Sequence, residues 1–374
     1  MKTIKKNFPA LLILFLAQFA LGQQRIDKPV IIAYAGGYKG LIDTSKMEPL
    51  KITHINYAFI NIKDGKAFLE NKKTDTVNFK NLNALKRINK DLKILISIGG
   101  WSWSENFSNA VLTDSSRRAF AKSAVDIVRG YKLDGVDIDW EYPGMAGEAG
   151  NLYRPEDKQN YTLMFAVLRE ELNMLEKQSA KKLLLTTATA GFASFLDNTE
   201  MAKAQQYLDY VNIMTYDFYS SKLAGHHTNL FSSSLNPSDN SADKAVKAYV
   251  AAGVPTNKLV MGIAFYGRNM KISGESKIGL GGKITSQTFG DGYSKIKDSL
   301  VNKNGFKEYR DEEAKAPYLY NDQSQLFITY DNEWSVKHKC DYVLEKGMAG
   351  VMFWEYDNDE KGYLLSEINK VLGK

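Results

Sequence analysis

Eight short apolar runs, rich in β-branched and aromatic residues, recur along this chain: Val30–Tyr38, His54–Ile62, Lys93–Trp101, Leu133–Tyr142, Leu183–Gly191, Tyr210–Phe218, Leu259–Gly267 and Gly350–Asp357. Each is continuous enough to be buried on both faces, as parallel strands are. Between them, helical patterns fall at Asn78–Lys90, Asp114–Gly130, Arg154–Gln178, Ser241–Gly253 and Asn332–Gly347, and a last one at 361–372 closes the series. In the second of these, Phe120, Ala124, Ile127 and Val128 share one face, while Arg117, Lys122 and Asp126 lie on others. Strands alternating with helices eight times predict an α/β fold, a (β/α)8 barrel, and 374 residues suit one such barrel as a single domain.

The rhythm breaks once. From Arg268 to about Tyr330 the chain separates the seventh strand from its helix and carries Gly279-Leu280-Gly281-Gly282, Gly290-Asp291-Gly292 and strand-like pieces at Tyr318–Tyr320 and Gln325–Thr329. A structureless loop of that length is unusual. Residues 268–330 are therefore expected to form a small α+β insertion on the C-terminal rim, with both glycine clusters as turns. Neither cluster has the strand–glycine–helix order and lysine of a phosphate-binding loop.

Residues 1–22 are of another character. Lys2, Lys5 and Lys6 precede an apolar run, Ala10 to Leu21, that ends in Ala20-Leu21-Gly22 before Gln23. This is the pattern of a secretory signal peptide cleaved near Gly22-Gln23, and the run is shorter than a membrane span requires. The remaining chain, 23–374, is expected to be exported and soluble, without stable membrane insertion. Losing three lysines lowers the formal charge from +6 to +3. With no basic block, nucleic acid is not an expected partner. The single cysteine, Cys340, excludes an intrachain disulfide and a multi-cysteine metal site. The four histidines are too scattered for a zinc-protease spacing, and His226-His227, after the sixth strand, is read as a pair of solvated loop residues, with contact to a substrate as the alternative.

The chemistry concentrates in Asp134-Gly135-Val136-Asp137-Ile138-Asp139-Trp140-Glu141. Side chains alternate along a strand, so Asp137, Asp139 and Glu141 share one face and Val136, Ile138 and Trp140 the other. In a barrel the apolar face meets the helices and the acids point inward. Carboxylates spaced by ~6.6–6.8 Å in a poorly solvated interior cannot all stay ionised, so at least one holds a proton. Ordinary packing has no use for this arrangement. A divalent ion could neutralise it, but three carboxylates in one line cannot surround an ion and no other ligand completes a shell. Acid–base chemistry remains, with Glu141 at the C-terminal strand end where barrel catalysis occurs.

This segment resembles the DxxDxDxE signature of glycoside hydrolase family 18, the chitinases and their relatives. Four further segments are similar to the family in order and position: Ser97-Ile98-Gly99-Gly100-Trp101, Asn212-Ile213-Met214-Thr215-Tyr216-Asp217, Tyr266-Gly267-Arg268 and Gly350-Val351-Met352-Phe353-Trp354-Glu355. The resemblance covers roughly 29–372 and includes the insertion. It implies cleavage of β-1,4 bonds in chitin or N-acetylglucosamine oligosaccharides, with retention of configuration, no cofactor and no metal. Glu141 is then the general acid and base, Asp139 the partner of the sugar's acetamido N–H after turning away from Asp137, the third catalytic acid, and Tyr216 the donor to the acetamido oxygen. Trp354 becomes the floor under the distorted sugar and Trp101 a leaving-group platform. Asp217, Met214, Tyr266, Arg268, Phe59 and Tyr34 line the cleft, with Tyr34 and Ser97 bonded to Asp137. The resemblance further implies cis peptide bonds at Ala58-Phe59, Glu141-Tyr142 and Trp354-Glu355. Trp140 falls on the wrong parity and is assigned to packing; Trp103 and Trp334 carry no assignment. A monomer is expected. Two alternatives stand beside this reading: a catalytically silent lectin on the same barrel, disfavoured because Glu141, Asp139 and Tyr216 are all present, and an enzyme for N-glycan cores or a peptidoglycan-like polymer.

Overall fold

The protein is described from a computed structural model covering residues 28–218, 222–274 and 277–373. Residues 1–22, expected from the sequence to be a signal peptide, lie outside the described residues. Among the described residues fourteen strands follow in order: β1 Val30–Gly36, β2 His54–Lys63, β3 Lys66–Phe68, β4 Lys93–Gly99, β5 Gly135–Asp139, β6 Leu184–Ala190, β7 Tyr210–Met214, β8 Leu259–Ala264, β9 Tyr266–Ser273, β10 Lys283–Gly292, β11 Lys307–Asp311, β12 Ala316–Asn321, β13 Leu326–Thr329 and β14 Gly350–Trp354. Strands β1, β2, β4, β5, β6, β7, β8 and β14 pair in parallel, and the β1–β2 and β1–β14 ladders close them into a barrel. All eight expected runs become barrel strands.

Alternation sorts the strand residues into two cores. Ile31, Ala33, Val136, Ile138, Trp140, Val351 and Phe353 belong to the large cluster between barrel and helices. Val30, Ile32, Tyr34, Ala58, Ala188, Val260 and Met352 form a smaller one inside the barrel. Trp140 is buried and stacks on Phe107 at 5.0 Å, the packing role its parity predicts.

The helical layer is less regular than the eightfold alternation implies. Long helices run Lys72–Ala84, Asp114–Tyr131, Asp157–Ser179, Ala242–Ala251, Glu333–Lys346 and Tyr363–Leu372. The first begins six residues before the expected Asn78, because Lys72–Val77 lacks the apolar periodicity by which a helix is recognised. The β1–β2 crossover holds only single 3-10 turns, and β6–β7 only the short helices Ala193–Asp197 and Met201–Ala204.

Between β8 and the helix Glu333–Lys346, strands β9 to β13 form a separate antiparallel sheet in the order β10-β9-β13-β12-β11, with the helix Tyr293–Ser299 after β10. This is the α+β insertion between the seventh barrel strand and its helix. The cluster Gly279 to Gly282 is a turn, as expected, with Gly279 and Gly281 at positive φ. Gly290-Asp291-Gly292 is not: it ends β10, where the register against β9 shifts between Phe289 and Gly292. A Cβ on Gly290 would stand 2.7 Å from the Gly267 carbonyl oxygen, so glycine is there for close approach of two strands.

Where the insertion returns to the barrel, a buried ion pair holds the joint. Lys339 Nζ donates to Asp331 Oδ2 and Thr228 Oγ1, both at 2.6 Å, and Asp331 also accepts from Ser335 Oγ at 2.7 Å and the Ala264 backbone N–H at 3.2 Å. Both charged side chains are fully buried. Replacing Lys339 by Met would leave an uncompensated carboxylate in the interior. The expected loss is about 3–5 kcal/mol of unfolding free energy, read from the urea midpoint at constant m-value.

Candidate active site

The C-terminal ends of the barrel strands converge on a cleft of about 830 Å³. Its base is the acidic face of β5. Asp137 lies deepest, fully buried, and four strands each send it a donor: Tyr34 Oη at 2.9 Å and Ser97 Oγ at 2.7 Å to Oδ2, Thr186 Oγ1 at 2.6 Å and Asn212 Nδ2 at 3.3 Å to Oδ1. Burial holds the Asp137 carboxyl above its ordinary value, although these four donors pull it down. An amide N–H can only donate, so the Asn212 contact favours the ionised form.

Asp139, one step above, is nearly as buried, but its Oδ1 has no hydrogen-bond partner. Burial, then the charges of Glu141 and Asp137, push its carboxyl well above the usual range. Glu141 stands at the cleft floor, half-buried. Burial raises it to about 7; the charges of Asp217 and Glu148 add to this, and a hydrogen bond from Tyr142 acts against it. Backbone contacts hold Glu141 in place: its N–H donates to Ser104 Oγ at 2.8 Å and its carbonyl accepts from Asn151 Nδ2 at 3.2 Å. Ser104 in turn donates to the Gly100 carbonyl at 2.8 Å, tying the ends of β4 and β5 together. Gly99 and Gly100 are required there. Both have positive φ; a Cβ on Gly99 would lie 2.2 Å from the Asp139 carbonyl oxygen and one on Gly100 would enter the Phe59 ring.

A second group faces these acids from β7. Asp217, in the left-handed region at φ 60°, accepts two hydrogen bonds from Arg268, Nε to Oδ1 at 2.8 Å and Nη2 to Oδ2 at 2.7 Å. His227 Nδ1 lies 3.3 Å from Oδ1. Burial alone would raise the Asp217 carboxyl, but these contacts hold it well below the usual range. Burial also holds the His227 imidazole below its ordinary value, so at neutral pH its Nδ1–H is the donor. The reading of His226-His227 as solvated is therefore corrected. Both rings are fully buried, and His226 Nε2 contacts Asp311 Oδ2 on β11 at 3.1 Å. The loop after β7 is clamped under the insertion, which the sequence signal of a polar loop does not reveal.

All the cleft residues singled out from sequence gather here: Tyr34, Phe59, Trp101, Asp139, Glu141, Met214, Tyr216, Asp217, Tyr266, Arg268 and Trp354 line it, with Asp137 beneath. Among the described residues, the hydrogen-bond partner of Tyr216 Oη is a thioether, Met352 Sδ, at 3.8 Å. Trp354 lies parallel to Phe59 within 16° and to Tyr38 within 5°. The three bonds Ala58-Phe59, Glu141-Tyr142 and Trp354-Glu355 are cis. Sequence reasoning missed Tyr38, Trp103, Tyr142, Phe192 and Phe289, which also line the cleft. Trp103 could have been found from its spacing to Trp101; Phe289 could not, since β10 has no apolar alternation. Trp334 lies elsewhere, packed against His338 and under Arg310. Among the described residues no group of three or more His, Cys, Asp or Glu side chains is arranged to hold a metal ion, and no helix is long and apolar enough to cross a membrane.

The match to known proteins agrees with this geometry: residues 30–359 fit the glycosyl hydrolases family 18 pattern. The chain belongs to glycosyl hydrolase family 18. It is 36% identical to chitinase A1 of Niallia circulans over 91% of this chain and 57% of that one, and 32% identical to chitinase 1 of Aphanocladium album over 86% and 80%. It thus spans little more than half the length of the first. Among solved structures, a family 18 N-acetylglucosaminidase from Paenibacillus barengoltzii is 40% identical with a TM-score of 0.85, covering 92% of this chain and 99% of that one. Chitinase ChiA74 of Bacillus thuringiensis is 31% identical with a TM-score of 0.86, over 92% and 70%.

The stacked acids make a titration prediction. The Glu141 carboxyl, followed by carbon-13 NMR against a Glu141→Gln control, is expected to titrate near pH 7 in the free protein. In Asp217→Asn the midpoint should fall, because a negative charge that disfavours ionisation of Glu141 is removed. An unchanged midpoint would remove Asp217 from that field.

Proposed function

We propose that this protein is a secreted chitinase that hydrolyses β-1,4 bonds between N-acetylglucosamine units by substrate-assisted catalysis with retention of configuration. The observation that carries the reading is Glu141: a carboxyl raised to about 7 on the floor of an aromatic-lined cleft, above a buried pair of aspartates. Protonated Glu141 donates to the glycosidic oxygen. The carbonyl oxygen of the substrate's own 2-acetamido group attacks C1 as the leaving group departs, giving an oxazolinium ion. Glu141, now a carboxylate, takes a proton from water, which opens the ring on the same face and regenerates the acid.

The other residues divide the remaining work. Asp139, whose Oδ1 has no partner in the protein, accepts the acetamido N–H and stabilises the positive charge as it develops. Asp137 stays ionised under its four donors and keeps the proton on Asp139 or Glu141. Tyr216, whose Oη contacts the weak acceptor Met352 Sδ, donates to the acetamido oxygen near C1. Trp354 supplies an apolar plane for the C–H face of the sugar, and Trp101, nearly half exposed, does so on the leaving-group side. No cofactor is needed, the protein acts as a monomer, and the basic, apolar leader ending at Gly22 directs its export.

A second reading is favoured by the similarity to the Paenibacillus N-acetylglucosaminidase: the same chemistry releasing single sugars from a chain end. Mass-spectrometric product analysis on chitohexaose tests both. Mixed dimers, trimers and tetramers are expected from the chitinase; N-acetylglucosamine with chitopentaose as the only early products would support the second reading. Glu141→Gln should lower turnover at least about 10²–10⁴-fold while oligosaccharide binding persists. Retained turnover would remove Glu141 from the acid role. Asp139→Asn should lower kcat far more than it raises KM, since its contact strengthens as charge develops. A loss seen in KM alone would contradict that role.

A further inference from the structure

Tyr216 is a half-buried phenol in unusual company. Burial, then the charges of Asp139, Asp217, Glu141 and Asp137, hold it well above its ordinary value, so it remains a hydroxyl near neutral pH. It lies in the field of four carboxyl groups, yet among the described residues its hydrogen bond goes to a thioether, Met352 Sδ, at 3.8 Å. Tyr34 shows the contrast. Its hydroxyl donates to Asp137 Oδ2 at 2.9 Å. A bond to a carboxylate is about twice as strong as one between neutral groups, and a thioether is a weaker acceptor than an oxygen. Tyr34 is therefore committed to its partner, whereas Tyr216 holds a donor that a better acceptor can take.

The barrel builds this seat from two strands. Met352 on β14 pairs in register with Gly262 on β8, and both lie against the Tyr216 side chain. A Cβ on Gly262 would stand 2.9 Å from Tyr216 Cε1, so glycine there makes room for the ring. Its neighbour in the ladder receives the hydroxyl. Thr215 Oγ1 donates to the Gly262 carbonyl at 2.7 Å and ties the segment after β7 to the same point, while Tyr266 meets the ring edge-on at 6.1 Å between centroids. Met352 is fully buried in the interior cluster with Tyr34, Ala188 and Val260. An aliphatic side chain would fill that space equally well; what the thioether adds is a soft, weak acceptor at the end of the phenol.

We propose that Met352, beside Gly262, is a positioning residue for Tyr216: its thioether holds the phenol hydroxyl in one direction in the free protein and yields it to the carbonyl oxygen of an acetamido group when one enters. The hydroxyl keeps its proton throughout and exchanges one acceptor for another. A stronger acceptor at position 352 would keep the hydroxyl from the substrate. The inference rests on the function proposed above, and a double-mutant cycle separates the two. The kcat/KM on chitohexaose is compared for wild type, Met352→Gln, Tyr216→Phe and the double variant, since Met352→Gln places an amide oxygen near the hydroxyl on a side chain of similar length.

Met352→Gln is expected to lose about tenfold in kcat/KM, and the same substitution to lose less than about twofold once Tyr216→Phe has removed the hydroxyl. An equal loss in both backgrounds would make Met352 a packing residue, and no loss in either would leave the thioether without a role. Each of these overturns the seat and leaves the function standing. A wild type that cleaves no oligomer would overturn both. Should Met352→Gln fail to fold, the carbon-13 signal of the Met352 methyl group is followed instead, identified by its loss in Met352→Leu. It should move further when chitohexaose saturates Glu141→Gln than when it saturates Glu141→Gln/Tyr216→Phe, and equal movement in the two would contradict the exchange of acceptors.

Discussion

Three carboxyl groups on one face of a central strand cannot all be ionised inside a barrel, and the rest of this site is built around that constraint. The barrel resolves it by depth. At the bottom, Asp137 draws one donor from each of β1, β4, β6 and β7, which suits a fully buried charge. One step up, Asp139 has no donor at all on Oδ1 and sits between two acids, so it favours a proton. At the top, Glu141 reaches the cleft with a carboxyl that exchanges its proton near neutrality. A gradient of hydrogen-bond donors along a single strand thus gives three identical functional groups three different states.

The opposite wall depends on a second charge arrangement, and it is what ties the insertion to the barrel. Asp217 follows β7, Arg268 stands on β9, and His227 returns in the loop between them, so one carboxylate joins three segments. Beneath, the Lys339–Asp331 pair and Thr228 continue the same joint into the helix that follows the insertion. A carboxylate held this firmly keeps its charge, and that charge is part of the field that raises Glu141. Insertion, loop and acidic strand therefore act on one proton.

Much of this was legible in the sequence, for physical reasons that differ by element. The barrel strands could be read because both faces are buried, leaving unbroken apolar runs. The orientation of Asp137, Asp139 and Trp140 followed from strand parity alone. In the β1–β2 and β6–β7 crossovers only the eightfold alternation called for helices, and these segments carry no apolar periodicity from which their 3-10 turns and short helices could be read. His226 and His227 were misjudged because their burial comes from the insertion sheet packing over a loop, a contact between residues far apart in the chain. β10 was invisible for a related reason: most of its residues are exposed and lack apolar alternation. Phe289 and Gly290, one braced by an arginine and the other admitting a neighbouring strand, have meaning only once β9 is in place.

The central claim is the division of protons among the three acids, and neutron diffraction from deuterium-exchanged crystals of the free protein at about pH 6, just below the Glu141 value, tests it most directly. The account predicts a deuteron on Asp139, one on Glu141 and none on Asp137, with the Tyr34, Ser97 and Thr186 hydroxyls all pointing at Asp137. A deuteron on Asp137, with its hydroxyl partners turned away and Asp139 bare, would contradict it.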